Sequence, residues 1–185
     1  MVESVNKYDG FYIGRYETTI DEEGKIGSKG NTTVLTAGAI LKEGTNSTSN
    51  EPYYYRWWGL YAAQRSATVK GNGSTVQTNM IWGQQWDAML TFLGRTQANS
   101  TIKGSQSGVL KSGEATYNGT KDEMNNIYDL RKNGWEGIAE ATSSGSRVGR
   151  GGTYYDESLS ATFRNYYNPF DSLTGHSSRA TLYIK

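Results

Sequence analysis

Hydrophobic positions along this chain come in short, separated groups. Residues 10–19 (GFYIGRYETT) set aromatic and β-branched side chains between a glycine and the polar turn Asp21-Glu22-Glu23-Gly24, which predicts a strand closed by a turn. Residues 24–52 are rich in Gly, Ser, Thr and Asn and read as loop with short strands. Two stretches then carry helical spacing. In residues 53–67, Trp57, Leu60 and Tyr61 stand at i, i+3 and i+4. In residues 78–93, Trp86, Met89, Leu90 and Leu93 stand at i, i+3, i+4 and i+7, and Gly94 is placed to end the helix. Both stripes read as core-packing faces, separated by the breaker Gly71-Asn72-Gly73-Ser74.

The second half is polar. Residues 95–120 form a long glycine-bearing stretch, and loops of that length are often functional. Residues 125–141 read as a turn leading into a strand, 147–152 as a strand ending on a glycine pair, and 179–184 as a closing strand. No internal repeat or boundary interrupts the chain, so residues 1–185 are expected to form a single α+β domain.

Composition sharpens this reading. Only 35% of residues are hydrophobic, yet the chain holds 5 Trp, 14 Tyr and 4 Phe. Disordered chains lack aromatics, so a fold built on rings is implied. The 23 glycines against 2 prolines favour many turns and close backbone approaches. Nineteen basic and 18 acidic residues leave a net charge of +1 with no basic stripe, which argues against a nucleic-acid partner. No apolar run approaches the roughly 18 residues of a membrane helix. The opening Met-Val-Glu-Ser-Val-Asn-Lys does not read as a signal peptide. Cysteine is absent, which excludes disulfides and thiolate chemistry.

Four stretches in order resemble the formylglycine-generating-enzyme (sulfatase-modifying factor) family. Phe11, Ile13, Tyr16, Glu17 and Thr19 resemble its opening strand. Trp86 and Asp87 match its central helical segment. Residues 129–136 (DLRKNGWE) resemble its D-x-x-G-N-V-W-E-W, with Lys132 in place of Gly and Gly137 in place of the second Trp. Residues 147–153 (RVGRGGT) are similar to R-V-x-R-G-G-S, and Ser178-Arg179-Ala180 falls where the family ends in G-F-R. The resemblance spans about residues 10–184 and implies a C-type lectin-like fold with its two termini paired in one small sheet.

It also constrains the chemistry. The family's oxidase uses a cysteine pair after the R-G-G motif, where this chain reads Thr153-Tyr154-Tyr155-Asp156-Glu157-Ser158-Leu159-Ser160-Ala161. Related iron enzymes use several His ligands, and this chain has one His, at 176. His176 is expected to be a solvated loop residue, with no nucleophile elbow to serve. Asp156 and Glu157 read as solvated acids rather than an acid–base pair. No cofactor is required, but the resemblance allows a structural calcium held by the Glu136 carboxylate and the carbonyls of Lys132 and Gly134. The alternative reading is that Glu136 accepts backbone hydrogen bonds in a buried turn.

Residues 153–176 set Tyr154, Tyr155, Tyr166 and Tyr167 among Asp156, Ser158, Ser160, Asn165, Asn168 and Asp171. Tyr offers rigid amphipathic contact area, and Ser and Asn offer adaptable hydrogen bonds. These residues are the candidate ligand-binding site, with Arg150 and Arg164 as ion-pair residues holding the loops. In the same fold, this segment carries the variable region of proteins diversified by retroelements, whose adenine-directed changes turn Asn codons into Tyr, Asp and Ser. The expected function is therefore non-catalytic recognition of a protein or glycan on a target cell, displayed on a cell surface, extracellularly or on a phage virion. The alternatives are a divergent enzyme of the sulfatase-modifying-factor type, or a purely structural adhesin module.

Overall fold

The computed structural model describes residues 5–7, 9–22, 26–36, 60–61, 76–94, 113, 115–117, 120–156, 159–171 and 175–184. Among these are the helix α1 (Gly83–Phe92) and thirteen strands. The strands are β1 (Tyr12–Ile13), β2 (Thr19–Ile20), β3 (Ile26–Gly27), β4 (Val76–Met80), β5 (Thr116–Tyr117), β6 (Thr120–Lys121) and β7 (Glu123–Met124). After them come β8 (Ile127–Tyr128), β9 (Trp135–Ala141), β10 (Arg147–Arg150), β11 (Arg164–Tyr167), β12 (His176–Ser178) and β13 (Ala180–Ile184). Most of the helix expected over 53–67, most of 95–120, and Ser158 lie outside the described residues.

The two ends of the chain meet, as the resemblance implied. β1 pairs antiparallel with β13, and β13 with β4, in a three-stranded sheet ordered β1-β13-β4. The expected opening strand is split in two. After Ile13 the Gly14 N–H still donates to the Ala180 carbonyl, but the chain then bends and buries Glu17. A carboxylate taken inward needs donors that a continuous ladder would not supply. Residues 78–93 also differ from expectation. Their first part belongs to β4, and the helix begins only at Gly83. Its first turn is held by Gln85, whose Oε1 accepts from the Trp82 N–H at 2.9 Å.

A second sheet, ordered β11-β10-β9-β12, carries the core. Side chains alternate across a strand, and β9 is buried on both sides. Ile138 packs with Trp86, Met89, Leu90, Leu130 and Val148, whereas Ala139 packs with Leu35, Leu60, Met80 and Tyr167. Full burial of a side chain such as Leu90 contributes about 1.5–3 kcal/mol. The helical stripe read from the sequence is thus the face of α1 that covers this sheet. The Trp86 indole also donates to the Ala161 carbonyl at 2.9 Å, which ties the segment after β10 to the helix.

Candidate functional site

The residues that carried the family resemblance converge inside the protein. Glu17 is fully buried and accepts from Asn133 Nδ2 at 2.5 Å, the Gly134 N–H at 3.1 Å and Ser177 Oγ at 3.0 Å. Glu136 pairs with Arg179, whose guanidinium also donates to the carbonyls of Gly14, Arg15 and Tyr128 at 2.7–3.0 Å. Asp129, held at φ 64°, accepts from the N–H groups of Gly113 and Ala115. Burial, then the nearby Glu136 and Asp129, holds the Glu17 carboxyl well above its ordinary range. Burial likewise raises Asp129 to about 7. These groups bind the N-terminal strand, the 129–136 turn and β13 to one another. Their arrangement is a structural clamp.

The R-G-G motif has an equally local cause. Gly151 sits at φ +80°, and a Cβ on Gly152 would lie 1.9 Å from the Arg131 carbonyl oxygen. Only glycine allows the end of β10 to run so close to the 130–131 turn.

Lys132 accounts for the departure from the family motif. Its side chain is fully buried, and its ammonium donates to the carbonyls of Asp156 at 2.7 Å and Thr153 at 3.3 Å. It therefore fastens the start of the tyrosine-rich segment. The calcium arrangement does not fit these residues. Both Glu136 oxygens accept from Arg179 Nε, at 3.0 and 2.9 Å, and the Lys132 cation already serves neighbouring carbonyls. Glu136 lies instead in β9, and its carboxylate accepts from the Arg179 guanidinium rather than from backbone N–H groups of a turn. Among the described residues no group of three or more His, Asp or Glu is arranged to hold a metal.

The candidate ligand-binding residues divide. Tyr155 and Tyr166 are 55% and 54% exposed, and Asn168 and Asp171 are exposed. Tyr154, Asp156 and Asn165 are partly buried. Tyr167 and Ser160 are buried and leave the set. Tyr166 and Tyr167 are consecutive in β11, so they point to opposite faces. Tyr167 fills the cluster with Leu35 and Leu60, and the Ser160 hydroxyl bonds Thr162 Oγ1 at 2.9 Å.

The exposed tyrosines form two groups. Tyr155 packs edge-on against Tyr154 and Trp135, with centroids 5.0 and 5.9 Å apart. Trp135, Gly149 and Tyr167 share the face of the sheet on which Ala139 packs. Tyr166 pairs in register with Val148 on the other face, where the Arg164 guanidinium lies 5.7 Å from its ring centre.

His176 is not a solvated loop residue. It begins β12, is 1% exposed, and packs between the rings of Tyr167 and Trp135 at 4.4 and 4.9 Å. Burial lowers its pKa to about 4. The expectation for the arginines holds: Arg150 pairs with Asp87 and Arg164 with Glu140.

Two exposed rings in the same segment escaped the sequence reading, Phe163 and Phe170, 39% and 60% exposed. Their signal was their place beside Arg164 and Asp171 in an otherwise polar run.

No protein-family model matches the chain, and no curated protein matches it. Solved structures do. The M1 variant of a Major Tropism Determinant aligns with a TM-score of 0.55 at 15% identity, over 94% of this chain and 50% of that one. The P3c variant aligns with a TM-score of 0.56 at 17% identity, over 94% and 50%. CarF aligns with a TM-score of 0.54 at 12% identity, over 95% and 87%. The chain spans about half the length of the tropism determinants it matches. At these identities the likeness is one of fold, and the mixed α+β architecture with paired termini agrees in general with the C-type lectin-like fold that the motifs implied.

Proposed function

We propose that this domain is a non-catalytic recognition module of the formylglycine-generating-enzyme-like C-type lectin type. Its residues 153–171 contact a protein or glycan on a target cell, displayed from a phage virion or a cell surface. One observation carries the reading. Among the described residues, four of the eight exposed large hydrophobic side chains (Tyr155, Phe163, Tyr166 and Phe170) fall in this one short segment. Lys132, Trp86 and Arg150 fasten that segment to buried elements. Exposed rings on a fixed frame are the physical profile of a recognition surface, where aromatic anchors contribute most of the binding. The names of the tropism determinants point the same way. No helix of the described residues is long and apolar enough to cross a membrane.

The test is binding of the fluorescently labelled domain to a panel of intact bacterial and host cells, read by flow cytometry. Wild-type protein is expected to stain a subset of cells, and Tyr155→Ala/Tyr166→Ala to lose that staining while keeping its melting temperature. Equal staining by both proteins contradicts the reading.

Diversification by a retroelement belongs to the same proposal and has its own test. The source genome should hold a near-copy of the DNA encoding residues 153–176, differing chiefly at adenines. A genome without such a copy removes this part and leaves the recognition surface untouched.

A further inference from the structure

A cavity of about 700 Å³ opens between the start of α1, the outer face of β4 and the side chains of Glu140 and Arg164. That volume lies in the range of small-molecule sites, roughly 300–1,000 Å³. Alternation along β4 places Gln77 and Asn79 together on its wall. Trp82, 41% exposed, and Gln84 supply the wall from the helix side.

The chemistry of this lining is specific. Its two carboxylates are already neutralised, Asp87 by Arg150 and Glu140 by Arg164, so the cavity presents no net charge to attract an ion. The side chains of Gln77 and Gln84 make no hydrogen bond among the described residues. Asn79 Oδ1 accepts from the Met80 N–H at 2.9 Å, which leaves its amide nitrogen to donate outward. Amides that both donate and accept, set beside a half-exposed indole, match a ligand with many neutral hydroxyls and one apolar face.

We propose that this cavity binds a neutral saccharide unit, with the Trp82 ring under the sugar and Gln77, Asn79 and Gln84 on its hydroxyls. The cavity takes one side chain, Arg164, from the 153–171 segment, and that guanidinium also lies against the Tyr166 ring; the proposed sugar contacts of Trp82, Gln77, Asn79 and Gln84 do not depend on the role of Tyr155 or Tyr166.

The experiment is a titration of the ¹⁵N-labelled protein, followed by NMR, with the methyl glycosides of glucose, galactose, mannose and N-acetylglucosamine. At least one glycoside is expected to give saturable shifts of the Trp82 indole N–H and the Gln84 side-chain amide. Trp82→Ala should abolish these shifts. Gln84→Ala, at an exposed helical position, should weaken binding several-fold and guards against loss of fold in the first variant. Tyr155→Ala, outside the cavity lining, should leave the shifts intact. No saturable shift with any of the four sugars, or shifts that persist unchanged in Gln84→Ala and lie away from Trp82, overturns the proposal.

Discussion

Arg179 grips Glu136 with its Nε at 3.0 and 2.9 Å from the two carboxylate oxygens and its Nη2 at 2.5 Å from Oε1, both side chains fully buried. The pair joins the residue between β12 and β13 to β9, and through the carbonyls of Gly14 and Arg15 it also holds the chain just after β1. Removing one member leaves an uncompensated charge in the interior. Arg179→Met is therefore expected to lower unfolding free energy by about 3–5 kcal/mol, measured by urea denaturation. Arg179→Lys should be nearly as damaging, because an ammonium cannot reproduce the planar fork. Glu136→Leu/Arg179→Met should recover only part of the loss, since the carbonyls of Gly14, Arg15 and Tyr128 lose their donor.

The buried Lys132 ammonium donates to the carbonyls of Thr153 and Asp156. Lys132→Met should destabilise the fold by about 1–3 kcal/mol for each carbonyl left unsatisfied and speed amide exchange over residues 153–156. Calcium or a chelator should leave the wild-type melting temperature unchanged. A rise of several degrees with calcium would show an ion site that this geometry does not provide.

His176 has a pKa lowered from 6.5 to about 4 by burial, so the unfolded chain holds the extra proton between those values. Stability from this residue is full above pH 6.5, falls as pH drops toward 4, and changes no further below that. The loss is on the order of 3 kcal/mol. Asp129, raised to about 7, acts oppositely: its contribution declines as pH rises from its ordinary value through 7. The two are separated by comparison with His176→Phe. Subtracting its unfolding free energies from the wild-type values at pH 7 and pH 4.5 should reveal the His176 loss, and equal differences at the two pH values would refute it.

The neighbouring tyrosines of β11 should behave in opposite ways. Tyr167→Ala opens a hole in a packed cluster and should cost about 3–5 kcal/mol. Tyr166→Ala should stay within about 0.5 kcal/mol, as exposed substitutions usually do. Tyr167→Phe should be close to neutral, since its buried hydroxyl has no hydrogen-bond partner among the described residues. Thermal melts of the three variants check all of this.

Much of this architecture was legible in the sequence. The order of the motifs placed Glu17, Asn133, Glu136 and Arg179 in one chain-wide pattern, and the packing shows why: they are ligands of a single buried network. The Trp86–Leu90 stripe was legible because helical spacing survives in a short helix. What failed did so for tertiary reasons. Residues 164–167 hold polar and aromatic side chains without apolar alternation, so nothing in them announced a strand, and Tyr166 and Tyr167 looked alike. His176 appeared solvated because its covering rings, Trp135 and Tyr167, come from two other strands, which only the sheet topology brings beside it. The role of the Lys132 ammonium was not legible because its acceptors are backbone carbonyls more than twenty positions away, and backbone acceptors leave no trace in composition.

The central claim is that a fixed frame displays replaceable side chains, and a saturation library of residues 154–171 tests it most directly. The library is displayed on yeast and sorted once for folded expression and once for binding to the cells that wild type stains. Tyr155, Tyr166, Asn168, Phe170 and Asp171 should tolerate nearly every residue for expression yet lose or change their target cells. Tyr167 and Ser160 should tolerate few residues for expression. If substitutions at the five exposed positions leave cell binding unchanged, this segment is not the recognition surface and the account fails.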